Sequence, residues 1–324
     1  MSDKVTIIMY HYVRDLANSK YPAIKGLDAA LFSEQVAYLD KHYRVISMEQ
    51  LIDSIEHGTS LPAKSALLSF DDGYTDHYDY VMPVLRKYRM QGSFFPPAKA
   101  ILEGRLLDVN KIHFILAATS DEDLLIQELF AQLDKHRQEY QLFSNETYYE
   151  KHAVARRRDN AKVMFIKQML QVVLPEKLRL IICDHLFNKY VSNDETAFCR
   201  ELYMSPDQIR ELRSEGMHIG SHSYDHYWLG SLTKEKQEEE ISRSMDFLKT
   251  VGVDLNNWTM CYPYGNYNQD TIDILSNNQC KLALTTHTAI ASLKSYTRFE
   301  LPRLDTNEIP KDASAPVNHW FEEA

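Results

Sequence analysis

Cysteine is scarce in this sequence. Cys183, Cys199, Cys261 and Cys280 are the only four in 324 residues, and no two stand at the CxxC spacing. That argues for free thiols in a reducing compartment rather than a disulfide framework. Positive charge is also in deficit, with 36 Lys and Arg against 46 Asp and Glu. A net charge of −10 argues against a nucleic-acid groove, because phosphate binding is driven by lysine and arginine; it serves solubility instead. No apolar run approaches the roughly 20 residues that span a bilayer. The first residues, MSDKVTIIMYHYV, lack the basic stretch, long apolar core and small-residue cleavage site of a signal peptide. A soluble, cytoplasmic chain without an integral membrane segment is therefore expected. Internal repeats and low-complexity tracts are lacking too.

What is present is an alternation. Short apolar runs at 5–10, 43–46, 65–70 and 92–95 predict strands, and between them the spacing predicts helices at 31–42, 48–57 and 78–88. Phe32, Val36 and Leu39 recur at helical intervals after a start at Asp28, and Gly58 closes the second helix. Strands alternating with helices predict parallel pairing through helical crossovers. From 99 to 203 the text becomes helical, charged and glycine-poor, with helices expected at 121–136, 153–173 and 176–189. The alternation then returns, with helices at 205–215, 234–251 and 269–278 and strands at 217–220, 258–262 and 282–286. Three parts follow: a first part of an α/β body at 1–98, a helical insertion or lid lobe at 99–203, and a second part at 204–324. The insertion's amphipathic helices must bury an apolar face against the body or against another chain, so it is a candidate for homo-oligomer contacts.

Three segments stand where a strand should end. In Ser69-Phe70-Asp71-Asp72-Gly73-Tyr74, two adjacent carboxylates follow an apolar strand. At the C-terminal end of a barrel strand such acids face the cavity where active sites sit; they also read as an N-cap for the next helix. In Gly220-Ser221-His222-Ser223-Tyr224-Asp225-His226, histidines four apart on a helical turn would share a face and could hold one metal ion. Such a pair also arises by chance in a chain with 13 histidines, and nearby His218 reads as a packed structural residue. In Tyr262-Pro263-Tyr264-Gly265, a proline–aromatic–glycine turn can aim a backbone N–H at a developing oxyanion, or be only a turn. His113 and His287 are further cavity candidates, for which packing or surface placement is the simpler reading.

In this order, SFDDG at 69–73, HSYDH at 222–226 and PYG at 263–265 resemble the motifs of the polysaccharide deacetylase family, the carbohydrate esterase family 4 homology domain. SPDQIRELRSEGMHIGSH at 205–222 resembles that family's lead into its histidine motif. The resemblance covers about 1–98 and 204–305 and implies an α/β fold, a distorted (β/α)7 barrel carrying the helical insertion. It implies that Asp72, His222 and His226 hold one divalent metal ion, zinc first, with cobalt, nickel or manganese as alternatives. Asp71 would be the general base, and the backbone N–H of Tyr264 would help to stabilise the oxyanion. Many family members carry an arginine two residues before the proline of the third motif. Cys261 stands there in this chain, and Arg303 in LPRL is the candidate replacement. The C-terminal leucine-x-histidine motif that supplies the general acid is absent. Met9-Tyr10-His11 at the end of the first strand looks like the circularly permuted arrangement of the poly-N-acetylglucosamine deacetylase branch, which makes His11 the candidate acid.

The resemblance implies a metal-dependent hydrolase that removes an acyl group from an amino sugar. Given the expected location, the substrate would be a nucleotide- or lipid-linked precursor of a surface glycan. Two alternatives stay open: hydrolysis of another amide, a formamide or cyclic ureide, on the same metal site, and a catalytically silent carbohydrate- or metal-binding protein.

Overall fold

The computed structural model describes residues 2–156 and 159–324. It divides into two compact units, one of the chain up to Asp15 with Gly26–Arg105 and Cys199–Ala324, the other of Leu16–Lys25 with Leu106–Phe198.

In the first unit, seven short parallel staves form a ring. β1 (Lys4–Tyr10) pairs with β2 (Ser65–Asp71), placing Ile8 opposite Leu68. β2 pairs with β3 (Gly92–Phe95), and β3 with β4 (His218–Ile219). A bridge between Ser221 and Met260 leads to β5 (Met260–Cys261), which pairs with β6 (Ala283–Leu284). A bridge from Leu284 to Leu301, and pairing of β7 (Leu304–Asp305) with β1, complete the circuit. This is the expected (β/α)7 barrel, and its distortion lies where single bridges replace full ladders. VTIIMY in β1 and all seven residues of β2 are buried, as strands covered on both faces must be. The strand expected at 43–46 shrinks to Arg44–Val45 and pairs only beside the start of β2.

Side-chain caps start the outer helices, at Asp28 as expected and at Ser47 and Ser205 besides. Asp28 caps α1 (Ala29–His42) by accepting from the Ala30 N–H, and Phe32, Val36 and Leu39 face the core. Ser47 with Gln50 and Ser205 with Gln208 form reciprocal capping boxes on α2 (Met48–His57) and α4 (Pro206–Ser214). The helix expected at 78–88 differs: a π-helical turn, His77–Val81, precedes α3 (Met82–Tyr88). That wider turn brings His77 into the core, where its ring meets Phe70, Tyr74 and Phe94 at 5.5–5.7 Å. α5 (Lys234–Thr250) and α6 (Gln269–Asn277) complete the outer layer.

In the second unit the helices pack on one another. Leu125, Leu129 and Leu133 of Glu122–Tyr140, Phe165 of Ala161–Gln168, and Ile182, Leu186 and Phe187 of Glu176–Tyr190 are all buried. The segment before α1 joins this unit through Tyr21, whose ring packs on Phe114 and Phe198 and whose hydroxyl donates to the Val191 carbonyl. The helix expected at 153–173 spans Arg157 and Arg158, which lie outside the described residues. Beyond them Asn160 caps a new helix, Ala161–Gln168, continued by the π turn Met169–Val173. No helix among the described residues is long and apolar enough to cross a membrane.

Two core positions generate tests. A Cβ at Gly220 would stand 2.5 Å from Phe95 Cε1 and 2.7 Å from Thr259 Oγ1. Gly220→Ala is therefore expected to lose about 1–3 kcal/mol in urea denaturation through overpacking. His77 donates from Nε2 to the His11 carbonyl at 2.9 Å, and its buried Nδ1 has no hydrogen-bond partner. Burial lowers its pKa to about 4. Below pH 6.5 the unfolded chain takes up a proton at this residue that the folded chain refuses, so stability falls as pH drops through that window. The loss by pH 4.5 is on the order of 2–3 kcal/mol. His77→Gln should show a correspondingly flatter stability profile between pH 7.5 and 4.5; equal slopes would remove His77 as the cause.

Candidate active site

The last residue of β2 and the three that follow it supply the acids. Asp71 ends the strand, and Asp72 (φ +71°) and Gly73 (φ +67°) turn the chain sharply. Left-handed backbone at an aspartate is uncommon and persists where the surroundings fix it. They fix it here through Tyr74, whose hydroxyl donates to Asp72 Oδ2 at 2.5 Å. The Tyr74 ring in turn stacks on Tyr12 at 4.1 Å.

The histidine segment after β4 is not the helical turn expected from its spacing. Ser223 (φ +65°) and His226 (φ +57°) break any helix, and the backbone follows a loop. Both rings reach one point by a different route. The Ala98 and Lys99 N–H groups donate to the Ser223 and Tyr224 carbonyls. From α5, Glu240 Oε2 accepts from Ser223 Oγ (2.6 Å), Asp225 N–H (2.9 Å) and Tyr224 N–H (3.2 Å). His222 Nδ1 donates to the Cys261 carbonyl at 2.8 Å; since a carbonyl only accepts, the proton sits on Nδ1 and Nε2 is left as a lone pair.

That lone pair faces Asp72. Asp72 Oδ1 lies 3.4 Å from His222 Nε2 and 3.4 Å from His226 Nε2, and this buried oxygen makes no hydrogen bond. Ligands at about 2.1 Å from a tetrahedral ion stand about 3.4 Å apart, so these three atoms fit one divalent cation. Among the described residues a second group, Asp71, His222 and Cys261, is also close enough. It fits less well, because Arg303 occupies both Asp71 oxygens and burial raises the Cys261 thiol pKa, keeping it a poor ligand. Burial works to raise the Asp72 pKa, but the two adjacent imidazoles outweigh it, and the group sits well below the usual range. His226 is lowered, chiefly by burial.

Asp71 is held apart from that group. Arg303 donates from Nη1 to Oδ1 at 2.9 Å and from Nη2 to Oδ2 at 2.8 Å, a fork on a carboxylate. Its other bonds run to Ser69 Oγ (3.1 Å) and the Thr285 carbonyl (2.7 Å). Burial opposes ionisation of Asp71, but the guanidinium charge wins and its pKa falls to about 2. Cys261 Sγ donates to Asp71 Oδ2 at 3.4 Å, and His11 Nε2 lies 3.8 Å from the same oxygen. The geometry thus brings His11, Asp71 and Arg303 together beside Asp72, His222 and His226. Tyr264, at φ +57° in the turn Pro263–Gly265, stacks on Trp228 at 4.3 Å and meets the His226 ring at 4.7 Å. His218 is packed, its Nε2 2.8 Å from Thr259 Oγ1. His113 lies on Asp108–Ala118 in the helical unit, and His287 is exposed after β6.

Sequence reasoning missed Tyr74 and Glu240. Tyr74 directly follows DDG, the one signal available for it. Glu240 lies within KEKQEEE, where nothing separates one buried glutamate from its solvated neighbours.

The family model for polysaccharide deacetylases matches residues 58–113 and 124–283. The chain is 19% identical over 290 residues to YxkH of Bacillus subtilis (strain 168), assigned as a polysaccharide deacetylase; this covers 89% of this chain and 67% of that protein. It is 30% identical over 91 residues to the poly-beta-1,6-N-acetyl-D-glucosamine N-deacetylase of Escherichia coli (strain K12), which spans 28% of this chain and 13% of that protein. Among solved structures, the Streptococcus pyogenes deacetylase PplD, in complex with acetate, superposes with a TM-score of 0.58 at 18% identity, covering 95% of this chain and 93% of that one. IcaB from Ammonifex degensii superposes with a TM-score of 0.57 at 18% identity, covering 97% of each chain. These two likenesses bear on the fold, and the match over most of the sequence bears on descent: the chain belongs to the polysaccharide deacetylase family.

Proposed function

We propose that this chain is a metal-dependent N-deacetylase of an amino sugar, releasing acetate and leaving a free amine. The observation that carries the reading is the division of labour between two adjacent carboxylates. Asp72 faces two imidazoles with an unbonded oxygen, while Asp71 is clamped beside them by an arginine and left out of the ligand set. A binding-only protein has no use for the second acid. Enzymes of this family are metalloenzymes, and Asp72, His222 and His226 would hold the ion, with zinc the first candidate and cobalt, nickel or manganese also suited to these donors. When bound, the ion supplies Lewis acidity to the amide carbonyl and to a water molecule.

The chain's own groups account for the rest. Asp71, with a pKa of about 2, is a weak base toward bulk water. Its contribution is position: an ionised oxygen fixed by Arg303 where the attacking water must lose its proton. The Tyr264 N–H lies on a turn whose ring touches His226 and would donate to the oxygen that gains charge as the tetrahedral intermediate forms. His11, partly exposed and 3.8 Å from Asp71, would protonate the departing amine, which leaves poorly as an anion. The sugar could carry a nucleotide, a lipid or further sugars as a cytoplasmic precursor of a surface glycan, and substrate comparison separates these.

Acetate release from N-acetylglucosamine derivatives is the direct test. The wild type should lose activity on chelation and regain it with zinc at one ion per chain, while His222→Ala should bind no ion. Asp71→Asn should retain the ion and lose about 10²–10⁴-fold in kcat. No acetate from any N-acetylated sugar sinks the reading. His11→Ala should lower kcat by about tenfold or more; a loss within about threefold would remove His11 as the acid.

A further inference from the structure

Immediately after the two acids, Tyr74, Asp76 and His77 all grip the short segment that follows β1. The Tyr74 ring stacks on Tyr12 at 4.1 Å. Asp76 accepts a fork from Arg14, at 2.8 Å from Nε and 3.0 Å from Nη2. His77 donates from Nε2 to the His11 carbonyl at 2.9 Å. We infer that His77, with this grip around it, is a positioning residue for His11 and sets where the acid stands relative to Asp71 and the candidate metal ligands. The inference rests on the N-deacetylase reading and on His11 as its acid.

His11 has little else to orient it. It and Tyr12 lie outside any strand, between the end of β1 and the pairing of Val13–Arg14 with Leu27–Asp28. Its side chain is 41% exposed, so packing constrains the ring only weakly. Asp71 Oδ2, at 3.8 Å, stands beyond hydrogen-bond reach. The ring therefore goes where the backbone takes it, and His77 holds that backbone at the His11 carbonyl itself.

Packing alone does not call for a histidine at position 77. Its ring is fully buried among Phe70, Tyr74 and Phe94, with Nδ1 left unpartnered. An apolar side chain would fill that space without stranding a polar atom, and a stranded atom in a native core calls for an explanation. What the imidazole adds is one N–H aimed at His11. The π-helical turn His77–Val81 serves the same end by swinging the side chain inward; such turns recur at functional sites.

The same stretch also reaches the metal site. Tyr74 donates its hydroxyl to Asp72 Oδ2 at 2.5 Å while its ring faces Tyr12, so one side chain ties a candidate ligand to the acid's segment. Arg14 and Asp76 are both largely buried, and their two parallel bonds fix direction as well as distance. Amide cleavage needs the nitrogen to gain a proton from His11 as the C–N bond breaks, and a misplacement of about 1 Å costs on the order of 10²-fold in rate.

The test is a double-mutant cycle on acetate release from N-acetylglucosamine derivatives, with the metal content of every variant measured. His77→Leu should keep its bound ion and a KM within about twofold of wild type, and lose about tenfold or more in kcat. His77→Gln, whose amide N–H stands where Nε2 stood, should recover most of that loss. In the His11→Ala background, His77→Leu should lower kcat by less than about twofold, because the group it positions is gone. Should His77→Leu not fold, Arg14→Gln removes the fork on Asp76 and is expected to show the same dependence on His11. Equal losses in both backgrounds, or wild-type kcat in folded His77→Leu, overturn the inference while leaving the deacetylase reading intact. A His11→Ala variant within about threefold of wild type removes the acid and the inference with it. Absence of acetate from every probe removes the deacetylase reading too.

Discussion

Arg303 and Asp71 form an ion pair that is almost fully buried on both sides. Burying one guanidinium and one carboxylate is costly unless every polar atom is matched. Here both carboxylate oxygens receive a guanidinium N–H, and the remaining donors reach Ser69 and Thr285. The bond to Thr285 ties the end of β6 to the end of β2, and the backbone bond from Arg303 to the His287 carbonyl ties the same loop to the approach to β7. One side chain thus links three staves at the same end of the ring. It also decides which of two neighbouring acids is free to face a metal ion, because a carboxylate saturated by a guanidinium has little left to offer as a ligand.

Strain collects around that pair. Asp72, Ser223, His226 and Tyr264 all have left-handed backbones without being glycine, and all lie in the three segments that end staves β2, β4 and β5. Such conformations cost on the order of 1–3 kcal/mol each and persist only when neighbours over-determine them. The neighbours are identifiable. Tyr74 holds Asp72, Glu240 gathers three donors of the histidine loop, and Trp228 stacks under Tyr264. The rigid ring and its caps therefore support a set of directions that no single helix or strand would adopt, and this accounts for histidines four apart converging without a helix.

How much of this is legible in the sequence depends on how local the cause is. Strands β1 and β2 announce themselves by continuous apolar runs, and α1, α2 and α4 by a capping residue followed by helical spacing, because those signals act within a few residues. β4 to β7 are two-residue pairings; their length is set by ring closure, so the sequence around β4, β5 and β6 reads as longer strands and that around β7 as no strand at all. The helical unit reads correctly as helix, but its use of the segment 16–25 rests on Tyr21 meeting Phe114 and Phe198, a contact across more than ninety positions that periodicity does not register. Asp71, Asp72, His222 and His226 stand out because acids and histidines at strand ends are conspicuous. Tyr74 and Glu240 do not, since a tyrosine in a tyrosine-rich chain and a glutamate among glutamates carry no mark of burial.

Cys261 and Arg303 show why position in the text is a poor guide to position in the site. An arginine placed by the third motif would approach Asp71 from the end of β5. Here the residue at that place is a thiol whose Sγ donates to Asp71 at 3.4 Å, and the guanidinium comes instead from the segment entering β7. Both routes end at the same carboxylate because ring closure brings the end of β5 and the approach to β7 within reach of the end of β2. What the chemistry requires is a cation at a point in space, and any stave whose end reaches that point can supply it. The requirement therefore constrains the closed barrel more tightly than it constrains any one motif. The site exists only when β1, β2, β4, β5 and the approach to β7 are all in place, so whatever binds there also stabilises the closed ring by mass action.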